Sequence, residues 1–252
     1  MEKIPFPLRK VSGDVANKEL AILERTYPHA ETALEYSNPF ELLIAVILSA
    51  QCTDARVNMT TPTLFKKYPT ARKLAKAKQE DVEKIVKSCG FYRMKARNII
   101  SCARDLAEKH AGEVPREREQ LEALAGVGRK TANVVMSVVF EEAAIAVDTH
   151  VFRVSHRLGL TLGKTPREVE NDLEAIVPRP KWRHAHHWLI LHGRAICKAP
   201  TPLCAKCPVN ELCPTPKIIA KMLKNSGAQV RPDAAGAATR RPGRSASAKK
   251  KA

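Results

Sequence analysis

The residues best suited to chemistry lie in a glycine-rich turn and in a segment eighteen residues after it. The turn is Gly126-Val127-Gly128-Arg129-Lys130, and Asp148 follows within Val147-Asp148-Thr149-His150. A glycine hairpin offers backbone N–H groups to a phosphate, and a neighbouring lysine can act as a nucleophile. A nearby carboxylate can accept the proton of the lysine or stabilise a developing cation. Together these groups predict covalent chemistry on the sugar of a nucleic acid.

A second group of reactive side chains lies near the end of the apolar part of the chain. Cys197, Cys204, Cys207 and Cys213 follow an x6, x2, x5 spacing within seventeen residues. Four thiolates suit either a tetrahedral zinc ion or a [4Fe–4S] cluster. Zinc sites of this type usually pair two short Cys-x2–4-Cys units, and this loop has one. The spacing therefore favours the iron–sulfur cluster over zinc. Such a cysteine cluster is expected to bind metal in a reducing compartment, where disulfides are rare.

The other cysteines and the histidines near this loop are expected to have structural roles. Cys52, Cys89 and Cys102 stand alone in apolar helical contexts and are predicted to be small core residues. Four histidines precede the loop: His184, His186, His187 and His192. Because four thiolates already complete a site, we expect these histidines to pack or hydrogen-bond beneath the loop rather than to bind metal.

The charge of the chain points to a polyanionic partner. Its 252 residues include 43 Lys and Arg against 26 Asp and Glu, a net charge of +17. Ten basic residues and one acid lie in residues 217–252, so the net charge is +9 in this tail and +8 in residues 1–216. The tail is rich in Ala, Gly, Ser and Pro, so we expect it to be disordered and to add salt-sensitive affinity without sequence choice.

The chain shows no features of a secreted or membrane protein. The N-terminal residues lack an apolar signal region, and the longest apolar run, residues 40–50, is too short to span a bilayer. We therefore expect a soluble, monomeric protein of the cytoplasm, associated with the nucleoid in a prokaryote, with no membrane partner.

The elements that carry these residues are predicted to be helices, which makes the fold all-α. Apolar residues recur with helical spacing, and no stretch alternates for long enough to indicate a sheet. Residues 129–140 are apolar nearly all round, as in a central buried helix. Helices are predicted at 17–27, 40–50, 54–68, 71–77, 79–89, 94–110, 116–123, 129–140, 149–158, 165–176 and 182–192.

The two motifs and the cysteine loop, in this order, resemble endonuclease III of the helix-hairpin-helix superfamily of DNA glycosylase/AP lyases. The resemblance extends from about residue 20 to about residue 216. Further matches are residues 48–51 (Leu-Ser-Ala-Gln) and residues 187–194 (His-Trp-Leu-Ile-Leu-His-Gly-Arg).

The resemblance implies two lobes with double-stranded damaged DNA bound across the cleft between them. A six-helix barrel would comprise residues 32–142, with the helix-hairpin-helix at about 116–140. The other lobe would combine residues 1–31 with residues 143–216 and hold the [4Fe–4S] cluster, and residues 217–252 would form the basic tail. Lys130 would lie at the mouth of the cleft on one lobe and Asp148 on the other.

The resemblance also implies a reaction and its DNA contacts. An oxidised pyrimidine nucleotide would rotate out of the duplex, and Lys130 would attack C1′ and displace the base. The amine must first lose its proton, which burial or a neighbouring cation such as Arg129 would favour. Asp148 would accept that proton, and β-elimination from the Schiff base would cleave the strand on the 3′ side. The residues implied to contact DNA are Gln51, Phe91, Gly126, Gly128, Arg129 and His150.

Two other functions fit part of the pattern. A MutY-type monofunctional glycosylase shares the scaffold and the cluster, but it lacks the hairpin lysine and carries a further C-terminal domain. A noncatalytic DNA-binding protein would use the hairpin only to hold phosphates, and the presence of both Lys130 and Asp148 argues against it. At the position of Phe91 the family commonly has leucine, so the aromatic ring is expected to shift the preference among damaged bases.

Overall fold

A computed structural model describes residues 4–225, in which every regular element is a helix. This confirms the all-α prediction. Three short 3₁₀ turns, Lys87–Cys89, Arg179–Lys181 and Cys204–Lys206, interrupt the helices. The α-helices are α1 Gly13–Thr26, α2 Pro39–Leu48, α3 Asp54–Lys67, α4 Ala71–Leu74, α5 Gln79–Val86, α6 Tyr92–Lys109, α7 Arg118–Glu122, α8 Arg129–Val139, α9 Thr149–Leu158, α10 Pro166–Ile176, α11 Trp182–Ala195 and α12 Thr215–Asn225.

Side-chain caps determine where several helices begin. Ser12 accepts a hydrogen bond from the amide of Val15, so α1 starts four residues before the predicted Asn17. Asn38 caps α2 in the same way, and Pro39 occupies the first turn as its fixed φ favours. The predicted helix positions are confirmed, while most of their ends differ by one to four residues.

The helix α12 was not predicted, and it covers residues 217–225 of the segment expected to be disordered. Its start is anchored because the buried Thr215 donates a hydrogen bond from Oγ1 to the carbonyl of Arg157, 2.6 Å away. Ile218 and Ile219 are half-buried, so the basic composition of this segment hid an amphipathic helix. Residues 226–252, which include the rest of the predicted tail, lie outside the described residues.

Two hydrophobic clusters organise the molecule. The first draws its buried residues from positions 34–146 and surrounds α2, whose Leu42–Leu48 face is at most 4% exposed. The second draws on positions 16–30 and 145–213, and so joins α1 to α9–α11 and the cysteine loop. Between residues 32 and 142 the structure has seven helices, α2–α8, of which α4 and α7 are only four and five residues long.

The helices α9 and α11 cross closely at a glycine. A Cβ atom at Gly193 would lie 3.0 Å from Cγ2 of Val154 and 3.1 Å from Cβ of His150, so a larger residue would push the helices apart. This contact sets how the N-terminus of α9 faces α11. Within residues 4–225, no helix combines the length and the apolar character that crossing a membrane requires.

Candidate active site

The glycine turn between α7 and α8 has the backbone geometry of a tight hairpin. Gly126 has φ +80°, and a Cβ atom there would lie 3.0 Å from Cβ of Asn98 and 3.3 Å from Ile47. Glycine is therefore required both for the conformation and for the packing. Gly128 is the N-cap of α8 and has no side chain to bond the first amides of that helix. Those amides, at the positive end of the helix dipole, suit a phosphate.

Arg129 is held by carboxylates. Its guanidinium donates to both carboxylate oxygens of Glu170 at 2.8 and 2.9 Å, and it lies 3.7 Å from Glu122. Glu170 is 3% exposed and also pairs with Arg167 at 3.2 Å. These pairs fasten the hairpin to α10. They also compensate the positive charge that was expected to favour deprotonation of Lys130.

Lys130 and Asp148 line the same cleft, which has a cavity volume of about 80 Å³. Lys130 lies in the first turn of α8 and is exposed, whereas Asp148 lies half-buried before α9. The Oδ1 atom of Asp148 accepts hydrogen bonds from the amides of His150 and Val151, both at 2.8 Å, which leaves Oδ2 outside the cap. Asp148 is therefore a helix cap that also presents a carboxylate oxygen to the cleft.

A buried amide fixes the helix of Lys130 against the segment that leads to Asp148. The Nδ2 atom of Asn133, on α8, donates to the carbonyl of Ile145 at 2.7 Å. The Oδ1 atom of Asn133 accepts from Arg118, and Asn133 is 1% exposed. Sequence reasoning missed this residue, although a polar side chain among apolar neighbours in a helix predicted to be buried was a usable signal.

Other cleft residues escaped sequence reasoning as site residues. Asp54, at the start of α3, pairs with Arg194 of α11 at 2.8 Å, which joins the two sides of the cleft. Burial, together with the smaller effects of the charges of His184, Arg194 and Lys130, lowers the pKa of His187 to about 4. Uncharged histidines beside Lys130 add no positive charge to the cleft. The sequence did offer one sign that Arg194 is a site residue, because it belongs to the segment 187–194 that matches the family before the first loop cysteine.

Gln51 and Phe91, which were predicted to contact DNA, lie in two neighbouring loops. Both are exposed and have left-handed backbones, with φ 52° and φ 44°. The two loops are adjacent at the thiols of Cys52 and Cys89, and burial, with the nearby Cys89, raises the pKa of Cys52. Residues other than glycine lose about 1–2 kcal/mol in this conformation. Such strain often marks functional positions.

The loop before α6 is supported from inside. Lys95 is 2% exposed and donates from Nζ to the carbonyl of Cys89 at 2.6 Å. The side chain of Phe91, by contrast, is 62% exposed. An aromatic ring this exposed on a rigid, strained turn is available to stack on a base.

His150, the remaining residue predicted to contact DNA, lies in the first turn of α9 beside Asp148. It is half-buried, and burial lowers its pKa. Its Nδ1 atom is 3.2 Å from Nη2 of Arg153, which also donates to the carbonyl of Gly193 at 3.0 Å. The imidazole is thus positioned by two helices at the edge of the cleft.

The four loop cysteines line one cavity, together with Arg157 and His192. Burial raises the pKa of Cys207 to about 11 and that of Cys213 to about 12. Among the described residues, no three His, Cys, Asp or Glu side chains converge on the position of a single metal ion. Four thiols around one cavity supply the ligand types that an iron–sulfur cluster or a zinc ion binds.

Comparison with known proteins agrees with this geometry. The family model of the HhH-GPD superfamily of base excision DNA repair proteins matches residues 44–179. The chain is 53% identical to endonuclease III of Bacillus subtilis over 214 residues, which cover 84% of this chain and 92% of the relative. It is 48% identical to endonuclease III of Escherichia coli K12 over 199 residues, which cover 78% and 94%.

Solved structures give the same result. A non-covalent endonuclease III–DNA complex matches with a TM-score of 0.81 at 46% identity, and the match covers 84% of this chain and 99% of that one. A trapped covalent endonuclease III–DNA intermediate matches with a TM-score of 0.80, at the same identity and coverage. The chain belongs to the endonuclease III family of the HhH-GPD base excision DNA repair proteins.

Proposed function

We propose that the protein is a bifunctional DNA glycosylase/AP lyase that removes oxidised pyrimidines from double-stranded DNA, acting as a monomer. The observation that carries this proposal is the shared cleft of Lys130 and Asp148, a primary amine and a carboxylate beside a phosphate-binding hairpin. The related endonuclease III caught in a covalent intermediate with DNA supports it.

The first step needs an uncharged amine at Lys130. Oδ2 of Asp148, which the α9 cap does not use, accepts a proton from Nζ. The amine then attacks C1′ of the extruded nucleotide, and the C1′–N bond to the base breaks with the electron pair leaving on the base. The carboxylate also stabilises positive charge that develops on the sugar in this step.

The second step uses the Schiff base that forms between Nζ of Lys130 and C1′. Its positive charge makes the C2′ proton acidic. Removal of that proton expels the 3′ phosphate and cleaves the strand. Hydrolysis then releases Lys130.

The DNA contacts follow from the exposed groups around the cleft. The amides of Gly126, Gly128 and the first turn of α8 bind a backbone phosphate. Gln51, Phe91 and His150 occupy the space that the extruded nucleotide leaves. Arg129 contributes to DNA binding by fastening the hairpin to Glu170, or contacts DNA directly once that ion pair opens.

A [4Fe–4S] cluster would be held by Cys197, Cys204, Cys207 and Cys213, which line one cavity. When bound, it would link Cys197, two residues after the end of α11, to the three cysteines that precede α12. The cysteines release their protons on binding, so loading is favoured at higher pH. Four irons and four sulfides per chain, with broad visible absorbance, are expected; stoichiometric zinc in a colourless protein would contradict this assignment.

The function is tested with two duplexes, one carrying a thymine glycol and one an abasic site. We expect base release and strand cleavage from the first and cleavage of the second, with β-elimination ends. Lys130→Gln should abolish both activities, while Lys164→Gln, an exposed lysine outside the cleft, leaves them unchanged. Base release without cleavage would instead indicate a monofunctional glycosylase, and binding without either activity would indicate a noncatalytic protein.

A further inference from the structure

His192 of α11 connects the N-terminal helix to the cysteine loop. Its Nδ1 atom lies 3.2 Å from the hydroxyl of Tyr27, at the end of α1, and its Nε2 atom lies 3.5 Å from Sγ of Cys207. Its carbonyl also accepts the amide of Cys197 at 2.8 Å. His192 therefore contacts two of the four loop cysteines and is itself 1% exposed.

The proton positions in this chain of contacts follow from the chemistry of its members. A neutral imidazole carries a single N–H, on either Nδ1 or Nε2. Burial raises the pKa of Tyr27, so its hydroxyl keeps its proton. A cysteine that binds iron is a thiolate with no proton to donate. The hydrogen bond to Cys207 must then come from Nε2, and Nδ1 must accept the hydroxyl of Tyr27.

Cys197 has a different neighbour. Nη1 of Arg157 lies 3.6 Å from Sγ of Cys197, but it is 2.6 Å from the carbonyl of Lys198, and Nη2 is 2.7 Å from that of Ala199. The guanidinium is mainly bonded to carbonyl oxygens that fix the loop. The imidazole of His192, whose other nitrogen is already occupied by Tyr27, is the better-directed donor to a thiolate.

We propose that Tyr27 and His192 form a hydrogen-bond relay that tunes the reduction potential of the iron–sulfur cluster through Cys207. The inference rests on the proposed [4Fe–4S] cofactor. An N–H···S bond withdraws electron density from the thiolate and favours the more negative, reduced state, so the relay raises the potential. His192 acts here as a positioning and tuning residue, outside the reaction at Lys130.

The test is the reduction potential of the cluster in the loaded, full-length protein, measured by voltammetry on DNA-modified electrodes and accompanied by iron analysis. We expect His192→Leu and Tyr27→Phe to lower the potential, with the smaller shift in Tyr27→Phe, which removes one hydroxyl. His192→Gln should restore part of the shift, because its amide can donate to sulfur. His184→Leu, on the same helix but away from the loop, should leave the potential unchanged.

A second readout identifies the bond itself. The iron–thiolate stretching frequencies should shift on transfer from H₂O to D₂O in the parent protein, and this shift should shrink in His192→Leu and Tyr27→Phe. If His192→Leu does not load iron, Tyr27→Phe decides the question. Loaded variants with the parent's potential and isotope shift would overturn the relay but leave the cofactor intact. An iron-free parent that still cleaves abasic DNA would overturn both the cofactor and the relay but not the proposed reaction.

Discussion

Glu19 provides a quantitative test of how the second hydrophobic cluster is built. It lies on α1, is 0% exposed, and neither of its carboxylate oxygens has a hydrogen-bond partner among the described residues. Burial raises its pKa from an ordinary value of 4.5 to about 8. The folded protein therefore holds a proton that the unfolded chain releases above pH 4.5, and stability falls as the pH rises toward 8.

The size of the effect follows from that pKa. One pKa unit corresponds to about 1.4 kcal/mol, so Glu19 removes about 2 kcal/mol from the free energy of unfolding between pH 6 and pH 8. Glu19→Gln keeps the shape of the side chain but cannot ionise. The difference in unfolding free energy between this variant and the parent should thus grow by about 2 kcal/mol over the same interval.

The assay is urea denaturation of both proteins at pH 6, 7 and 8, compared at matched pH so that shared titrations cancel. Glu24→Gln is the control, because Glu24 lies on the same helix but forms a surface ion pair with Lys181 at 2.7 Å. The difference in unfolding free energy between Glu24→Gln and the parent should stay constant from pH 6 to pH 8. If the parent and Glu19→Gln lose stability in parallel from pH 6 to 8, Glu19 is not a buried carboxyl that is protonated in the folded protein.

Substitutions at four further positions test the site. Asp148→Asn should keep the free energy of unfolding within about 0.5 kcal/mol of the parent, since an amide oxygen still caps α9, yet slow turnover by about 10²–10⁴-fold. Asp148→Ala should in addition lose about 1 kcal/mol in urea denaturation. Full turnover in Asp148→Asn would show that Asp148 is only a helix cap. Gly126→Ala should lower the free energy of unfolding by at least about 1–2 kcal/mol, because Gly126 has φ +80° and its added Cβ would meet Asn98. Gly128→Ala, whose Cβ would meet nothing within 4 Å, should lower it less. Equal melting temperatures of the two variants would contradict the packing argument. Phe91→Ala should leave the melting temperature nearly unchanged, because the ring is 62% exposed, but slow single-turnover base release; unaltered base release would remove Phe91 from the DNA contacts.

Local patterns predicted most of the fold. The apolar spacing located α2, α3, α8 and α9 within two residues, because each has a strong apolar face or a recognisable cap. The start of α1 was missed, since it depends on a single serine hydroxyl, and α12 was missed because lysines dominate its composition.

The candidate site divides in the same way. Lys130, Asp148 and the four cysteines have distinctive spacing along the chain, so sequence reasoning could select them. The contacts of Asp54 with Arg194 and of Tyr27 with His192 join residues 140 and 165 positions apart. Such pairs leave no local pattern, because their partners meet only when the two hydrophobic clusters have formed. The engagement of Arg129 by Glu170 has the same origin.

The most direct measurement is borohydride trapping on an abasic duplex followed by mass spectrometry of the cross-linked peptide. The proposed chemistry predicts a stable protein–DNA adduct on Nζ of Lys130, formed by reduction of the Schiff base to C1′ and absent in Lys130→Gln. A strand cut that proceeds without any trapped adduct, or an adduct on a different residue, would contradict the assignment of Lys130 as the nucleophile.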